Sequence, residues 1–598
     1  MKRSLADLLS YLIRRPSPPP SLSPPPEEMA EKPKGKKHSG WKCMPYIIGN
    51  ETFEKLAGAG LLANFTVYLV SEFHMEQVEA ANVVNIFFGT TNFAPLVGAF
   101  LSDAYAGRFN TLAFSSIISF LGMLTLTLSA AVPQLRPPRC SSPAANSVPC
   151  STASGLHLGI LYLSMALLVV GAGGIRPCSL PFGVDQFDRT SEKGQEGLKR
   201  FFNWYYFTST LALFIAMTVM VYVQDSISWS IGFGIPTSLM LLALILFFLG
   251  TPLYVHVPPN GSVFSGIAQV FVAAFHNRRL PLPSSTAALY NPISHDDRYV
   301  TPLPLTHSFP FLTKAAILSP SIGSPPSSWR LCTLQQVEEV KCLIRIIPIW
   351  ASGIICFIAL GQQWTFAVLQ SMKMNRHLGP HFKIPPGSVG TISMLGLTFF
   401  IPVYDMVIVP VARRITKLEG GITLLQRQGV GLFISILSMV AAAMVEKKRR
   451  EKSLEGVAIS VLWLVPPLLV MGVAEAFNGV GQIEFYNRQF PEHMQTLAGS
   501  LFFCSLAGAS YLSSLLISVV RKATYGGGKR SWLEDDIDKG RLDYFYYLIA
   551  GMGVVNLIYF VICASFYRYK GVEEVKVVKE GGGEGDIEVC KVVKSGEL

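Results

Sequence analysis

The sequence predicts an all-α membrane protein of twelve transmembrane helices arranged as two six-helix bundles. Three observations predict it. The 598 residues are 50% hydrophobic and only 15% charged, with mean hydropathy +0.39, too apolar for a soluble chain of this length and too interrupted for one buried core. Apolar windows near the roughly 20 residues that cross a bilayer recur about twelve times. These windows divide six and six about a long polar, proline-rich interval.

Residues 1–40 read as a disordered cytoplasmic tail. The leucines of residues 1–15 are broken by Asp7 and followed by Arg14, Arg15 and a Pro-Ser run instead of a small-residue cleavage site, which favours a tail over the alternative, an organellar transit peptide. The N-terminal bundle, 41–253, holds apolar spans at approximately 43–72, 78–102, 109–132, 156–176, 202–223 and 229–250. Residues 254–343 then turn polar, with Pro281, Pro283, Pro302, Pro304, Pro325 and Pro326 among apolar fragments too short to span. They read as a central cytoplasmic loop with short interfacial helices at 267–275 and 334–345. The C-terminal bundle, 344–567, carries spans at approximately 345–369, 387–411, 421–444, 456–480, 496–520 and 544–566, and 568–598 is a charged cytoplasmic tail.

Loop charge sets the orientation. Lys32, Lys34, Lys36 and Lys37, the 193–200 loop and the central loop are basic, which places both termini in the cytoplasm of a multi-pass plasma-membrane protein. The run Glu446-Lys447-Lys448-Arg449-Arg450 then falls outside, an exception to the rule. The 133–154 loop also falls outside, in an oxidising space where Cys140 and Cys150 are either a disulfide or two free thiols. The net charge of +11 fits basic loops better than a nucleic-acid surface, since no basic face with interleaved aromatics accompanies it. The ten cysteines show no CxxC or Cys/His metal spacing, and no GxxxxGKS or GxGxxG motif occurs. The chain therefore reads as no enzyme, with no cofactor, no metal and no nucleic-acid partner.

Within the first span lies Asn50-Glu51-Thr52-Phe53-Glu54-Lys55. A charge at the bilayer centre costs about 2.5–3.5 kcal/mol on insertion scales, so three should face a wet internal cavity. Glu51 and Lys55 stand four apart with the acid first, the favourable order for a helical ion pair, and Glu54 shares their face. Such a titratable pair beside a cation suits proton binding; a static ion pair is the other reading. The two halves also echo each other. Asp103 and Arg108 follow span two, and Asp405 and Arg413 recur near the end of span eight, reading as structural gating elements too far from the midplane to touch a substrate.

At these residues the chain resembles a known family. The stretch 98–108 (Gly98, Asp103, Gly107, Arg108) is similar to the major-facilitator loop motif in the form used by proton-coupled oligopeptide transporters and their plant relatives, the nitrate transporter 1/peptide transporter family. The likeness continues through Gly173-Gly-Ile-Arg176, Phe182-Gly-Val-Asp185, Phe201-Phe-Asn203-Trp204-Tyr205-Tyr206, Trp329-Arg-Leu-Cys332, Val337-Glu-Glu-Val340-Lys341, Glu484-Phe-Tyr486 and Leu542-Asp-Tyr-Phe-Tyr546, covering roughly 41–570. Residues 51–55 look like the family's ExxER element in a variant ending in Lys, as in the subfamily of low-affinity nitrate and glucosinolate transporters.

The resemblance implies a major-facilitator fold and proton-coupled symport by alternating access. It places the coupling cation at Arg176, where many relatives have Lys; a guanidinium does not titrate, so Glu51 and Glu54 must carry the proton. Glu475 in span ten is a second buried carboxylate, for a substrate contact or a structural role. Gln362, Gln363 and Trp364 in span seven suit a cavity wall, and Tyr205 is either cavity lining or an interface anchor. Nitrate is the leading substrate, since Lys55 and Arg176 offer cations to an anion. A larger organic anion such as a glucosinolate or a phytohormone comes next, di- and tripeptides third, and a nitrate-sensing transceptor or scaffold is the reading from a different class.

Overall fold

The computed structural model describes residues 40–138, 153–188, 191–257, 263–282, 289–291, 303, 305–306, 308–318, 329–380, 382–418, 421–490, 495–525, 531–567 and 569. Cys140 and Cys150 lie outside the described residues, as do residues 1–39 and 570–598 of the tails.

The first half comprises α1 (Met44–Ala63), α2 (Phe65–Ser71), α3 (Gln77–Leu101), α4 (Arg108–Ala131), α5 (Gly155–Val184), α6 (Glu192–Ile215), α7 (Val221–Ser226) and α8 (Trp229–Leu249). After α9 (Val263–His276) and α10 (Pro310–Thr313), the second half comprises α11 (Leu334–Met372), α12 (Thr391–Val403), α13 (Val409–Thr416), α14 (Leu424–Leu454), α15 (Val465–Gln489), α16 (Gln495–Thr524) and α17 (Leu542–Phe566). A two-stranded hairpin, β1 (His377–Leu378) with β2 (Phe382–Lys383), caps the turn after α11. Among the described residues eleven helices are long and apolar enough to cross a membrane. The twelfth expected span is α1 continued by α2, helical but carrying Glu51, Glu54 and Lys55 and interrupted at Asn64.

Local sequence explains where the long helices begin. Thr333 caps α11 and Thr423 caps α14, each accepting the N–H of a glutamine three residues on whose side chain reaches back to the cap. Ser154 opens α5 in the same way through His157. In the first half α3 and α4 pack on α5, while α8 lies against α1 and α4. In the second half α14 packs on α15 and α17, with α12 against α15 and α11 against α16 and α17. The halves meet chiefly where α3 crosses α16.

Small residues set the closest crossings, as expected where lipid cannot drive helices together. A Cβ on Gly98 of α3 would collide with the backbone carbonyl of Gly173 in α5. Gly98→Ala should therefore prevent close docking of these helices, at a cost of about 1–3 kcal/mol or more for overpacking, and should sharply lower the yield of folded protein in fluorescence-detected gel filtration. A monodisperse peak at the parental yield would show that the crossing is looser than described.

The central region differs from the sequence expectation in one respect. Residues 334–345 are no separate interfacial helix; they continue into the seventh span as the first turns of the 39-residue α11, started by the Thr333 cap. Val270, Ala273 and Ala274 of α9 pack with Leu312, Ala315 and Ala316 against Val337 and Val340 of α11. Glu338, 1% exposed, accepts the Thr306 N–H at 3.2 Å and hydroxyl at 2.6 Å and pairs with fully buried Lys341 at 2.7 Å. These contacts fasten the described part of the loop to the second half.

Candidate functional site

Glu51 and Glu54 differ in their surroundings although one turn of α1 presents both. Glu51 is 1% exposed. Its Oε1 accepts the Tyr205 hydroxyl of α6 at 2.7 Å and lies 3.3 Å from Lys55 Nζ, while its Oε2 accepts the Ser179 hydroxyl of α5. Three groups thus hold the Glu51 carboxyl. Glu54 is 8% exposed, and its Oε2 is buried without a hydrogen-bond partner among the described residues, 3.9 Å from Lys55 Nζ. An unmatched carboxylate oxygen away from water is costly while ionised and cheap once protonated.

Arg176, on α5, donates to Asn92 Oδ1 at 3.0 Å and to the Thr91 carbonyl at 3.4 Å, both on α3, and its charge acts on Glu54. The structure therefore brings together Glu51, Glu54, Lys55, Arg176 and Tyr205 from three helices. Of the four residues opening the fifth span, Trp204 and Tyr206 are exposed on the outer face and Tyr205 turns inward to Glu51.

The span-seven residues do not share one face. Gln362 is fully buried with neither amide atom hydrogen-bonded. Gln363 Oε1 accepts the Ser438 hydroxyl of α14 at 3.2 Å, inside the second half, and Trp364 Nε1 donates to Ser393 of α12 at 2.7 Å. Among the described residues Glu475 Oε2, on α15, is buried without a hydrogen-bond partner, and so is Asn478 Nδ2 one turn later. Among the described residues the second half thus leaves Glu475 Oε2, the whole Gln362 amide and Asn478 Nδ2 without a hydrogen-bond partner, while Asn478 Oδ1 accepts from Gln482.

A further ionic cluster lies at the ends of α3, α4 and α5. The α3 helix widens into a π-type turn at Ser102–Ala106, and Gly107, with φ +75°, opens α4. Arg108 then pairs with Asp185 at 2.5 Å and Asp103 at 3.9 Å. The second half repeats this plan, but not through the two residues the sequence points to. The π-type turn recurs at Tyr404–Ile408, where Asp405 is exposed, as is Arg413 on α13. Arg427 of α14 makes the equivalent contacts, pairing with Glu484 of α15 at 3.1 Å and stacking on the Tyr404 ring at 4.3 Å. Charge counting near the turn could not find this pair, because Arg427 stands well beyond it. Glu484 and Asp185 both lie within the motifs quoted above, which is the signal that marked them.

The chain matches the family model described as POT family over residues 109–533. It is 51% identical to Protein NRT1/PTR FAMILY 2.13 of Arabidopsis thaliana, covering 93% of this chain and 91% of that protein. It is 50% identical to Protein NRT1/PTR FAMILY 2.12 of the same plant, covering 92% and 96%. Among solved structures, an auto-inhibited POT family peptide transporter superposes with TM-score 0.65 at 20% identity, covering 89% of this chain and 99% of that one. The expected transporter fold is thereby shown: the chain belongs to the POT family of membrane transporters, alongside the plant NRT1/PTR proteins.

Proposed function

We propose that this protein is a proton-coupled symporter of a small anion, with nitrate as the first substrate, working by alternating access at the plasma membrane with both termini in the cytoplasm. The observation that carries the reading is the charge balance of the first-half cluster. Two carboxylates, Glu51 and Glu54, stand among two cations, Lys55 and Arg176. Ionised, the cluster is neutral; with one proton on Glu54 it carries a surplus positive charge that a small anion neutralises. Proton and anion then favour each other's binding, and each alone leaves an unbalanced charge in a low-dielectric site. Lys55 keeps 29% of its side chain accessible, an open face for an anion to meet.

Lys55 and Arg176 also account for the departure from the common pattern. The Arg of ExxER has become Lys and the usual Lys has become Arg, so the number of cations is kept. A relay in which the span-four cation releases its proton is excluded by the guanidinium, which leaves titration to the glutamates. In this reading Asp103–Arg108–Asp185 and Arg427–Glu484 are gating elements.

A second reading, transport of a larger organic anion such as a glucosinolate or a phytohormone, draws on Glu475 Oε2, the Gln362 amide and Asn478 Nδ2, which have no hydrogen-bond partner among the described residues and would suit a substrate bearing hydroxyl or amide groups. Uptake of labelled nitrate, a glucosinolate, a gibberellin and a dipeptide in oocytes at external pH 5.5 and 7.5 separates these. Nitrate uptake several-fold higher at the acidic pH supports the first reading. Currents equal with and without nitrate would remove it.

A further inference from the structure

The two halves are also joined by charge at the end of the molecule where α2 approaches the start of the eighth span. On one edge of that end Arg376 pairs with Asp225 at 3.4 Å, and Phe382 of β2 stacks with Tyr222. On the other edge a single guanidinium nitrogen of Arg521, near the end of α16, lies 3.2 Å from Glu76 Oε2 and 2.8 Å from Asp535 Oδ1. Glu76 belongs to the first half, immediately before α3; Asp535 belongs to the second, between α16 and α17. Farther along the same seam Ser514 donates to Asn82 at 3.1 Å and Tyr511 to Thr90 at 2.9 Å.

We propose that Glu76, Arg521 and Asp535 form a proton-sensitive strap that holds this end of the transporter closed, separate from the Glu51–Glu54 cluster. Two carboxylates drawn to one nitrogen leave a surplus negative charge across the interface between halves. One proton converts the trio into a simple ion pair with a neutral carboxyl beside it. Opening the end separates Glu76 from Asp535 and removes their repulsion, so the proton is held more tightly when the end is closed.

The groups facing Asp535 agree with this. Burial and then hydrogen bonding to Glu76 push its carboxyl from 3.8 up to about 6, against the attraction of Arg521 and with a smaller contribution from Glu534 in its own loop. Glu534 itself accepts the Ser531 N–H at 2.8 Å. A carboxyl raised in the closed state stabilises closure fully below its ordinary value, and the stabilisation is lost as pH rises through about 6. Arg521, Glu76 and Asp535 are 38%, 54% and 36% exposed, so screening reduces the effect to roughly a three- to tenfold change in the closed-to-open ratio.

The direction of use rests on the symporter reading, in which this end faces the acidic outside; the strap itself does not. The test is made on the full chain in nanodiscs, with spin labels at exposed Ser71 and His377 and the closed and open distance populations measured from pH 5 to pH 7.5. The closed-to-open ratio should rise roughly three- to tenfold on acidification. Asp535→Asn should hold the acid-like ratio at every pH, Asp535→Glu should restore the dependence, and Glu76→Gln should flatten it. The dependence should persist in a Glu51→Gln, Glu54→Gln background. Asp535→Asn titrating like the parent, or loss of the dependence in that background, would overturn the strap. Uptake surviving in the background variant would instead overturn the symporter reading and leave the strap standing.

Discussion

Replacing Glu54 with Gln should lower proton-driven uptake roughly a hundredfold or more at acidic external pH while surface expression stays near the parental level. The amide keeps the volume of the side chain and removes its ability to ionise, so the cluster is left permanently with the charge of the proton-loaded state. Removing one partner from a buried charge cluster costs about 3–5 kcal/mol, and even the lower figure exceeds a hundredfold. The cost falls on the unloaded state, whose cations Lys55 and Arg176 then face a single carboxylate. Exchange of labelled for unlabelled substrate, which needs no proton release, should survive better than net uptake. Glu51→Gln should also abolish pH-driven uptake with surface expression intact, by a different route: it replaces a carboxyl that Ser179, Tyr205 and Lys55 all hold. Parental uptake by Glu54→Gln at acidic pH would remove Glu54 from the proton path.

The second large effect concerns stability. Arg449→Met should lower the melting temperature of the purified protein in nanodiscs by roughly 2–4 °C, the consequence of about 3–5 kcal/mol spread over the unfolding entropy of 598 residues. Arg449 and Glu446 are 1% and 0% exposed and paired at 2.7 Å, and Arg449 Nη1 reaches Asp538 at 2.5 Å in the connection between α16 and α17. Gln370 and Tyr546 complete the network. Methionine fills much of the space but leaves the Glu446 charge buried without its cation. Adding Glu446→Gln should recover half or more of the lost stability, since a neutral amide can bond to Gln370 without a counter-charge. An unchanged melting temperature in the single variant would show that Glu446 and Arg449 contribute no more than an exposed pair. Within the 446–450 run Arg449 pairs with both Glu446 and Asp538, the latter shared with Lys373 at 3.8 Å, and Lys448 lies 3.7 Å over the Trp463 ring, so these cations answer local partners.

Much of the site was legible in the chain because membrane insertion makes charges expensive. Glu51, Glu54, Lys55 and Arg176 interrupt apolar helices, and an interruption of that kind has few readings. The i, i+4 spacing of Glu51 and Lys55 corresponds to an ion pair at 3.3 Å. Less legible were the groups that make the two glutamates unequal. Ser179 and Tyr205 lie 128 and 154 residues from Glu51, and neither serine nor tyrosine is unusual in a transmembrane span. Span seven shows the same limit. Gln362, Gln363 and Trp364 are adjacent, yet about 100° of helical rotation per residue sends them to different neighbours.

Periodicity, composition and motif spacing by themselves determined the class of protein, the six-and-six plan, the long central interval and the first-half charges Glu51, Glu54, Lys55 and Arg176, because each depends on the cost of placing a residue type in lipid; they did not determine the burial of Glu446 and Arg449. Tertiary structure alone decided that Glu54 Oε2, unlike the Glu51 oxygens, has no hydrogen-bond partner among the described residues and that Arg427 with Glu484, not Asp405 with Arg413, repeats the first-half pairing. It also decided that the described part of the central loop packs on the second half and that Glu76, Arg521 and Asp535 meet across the interface. Those outcomes depend on which side chains arrive within about 3–4 Å after helices distant in sequence have packed, and hydrogen bonds and ion pairs are sensitive to that distance in a way that hydropathy is not.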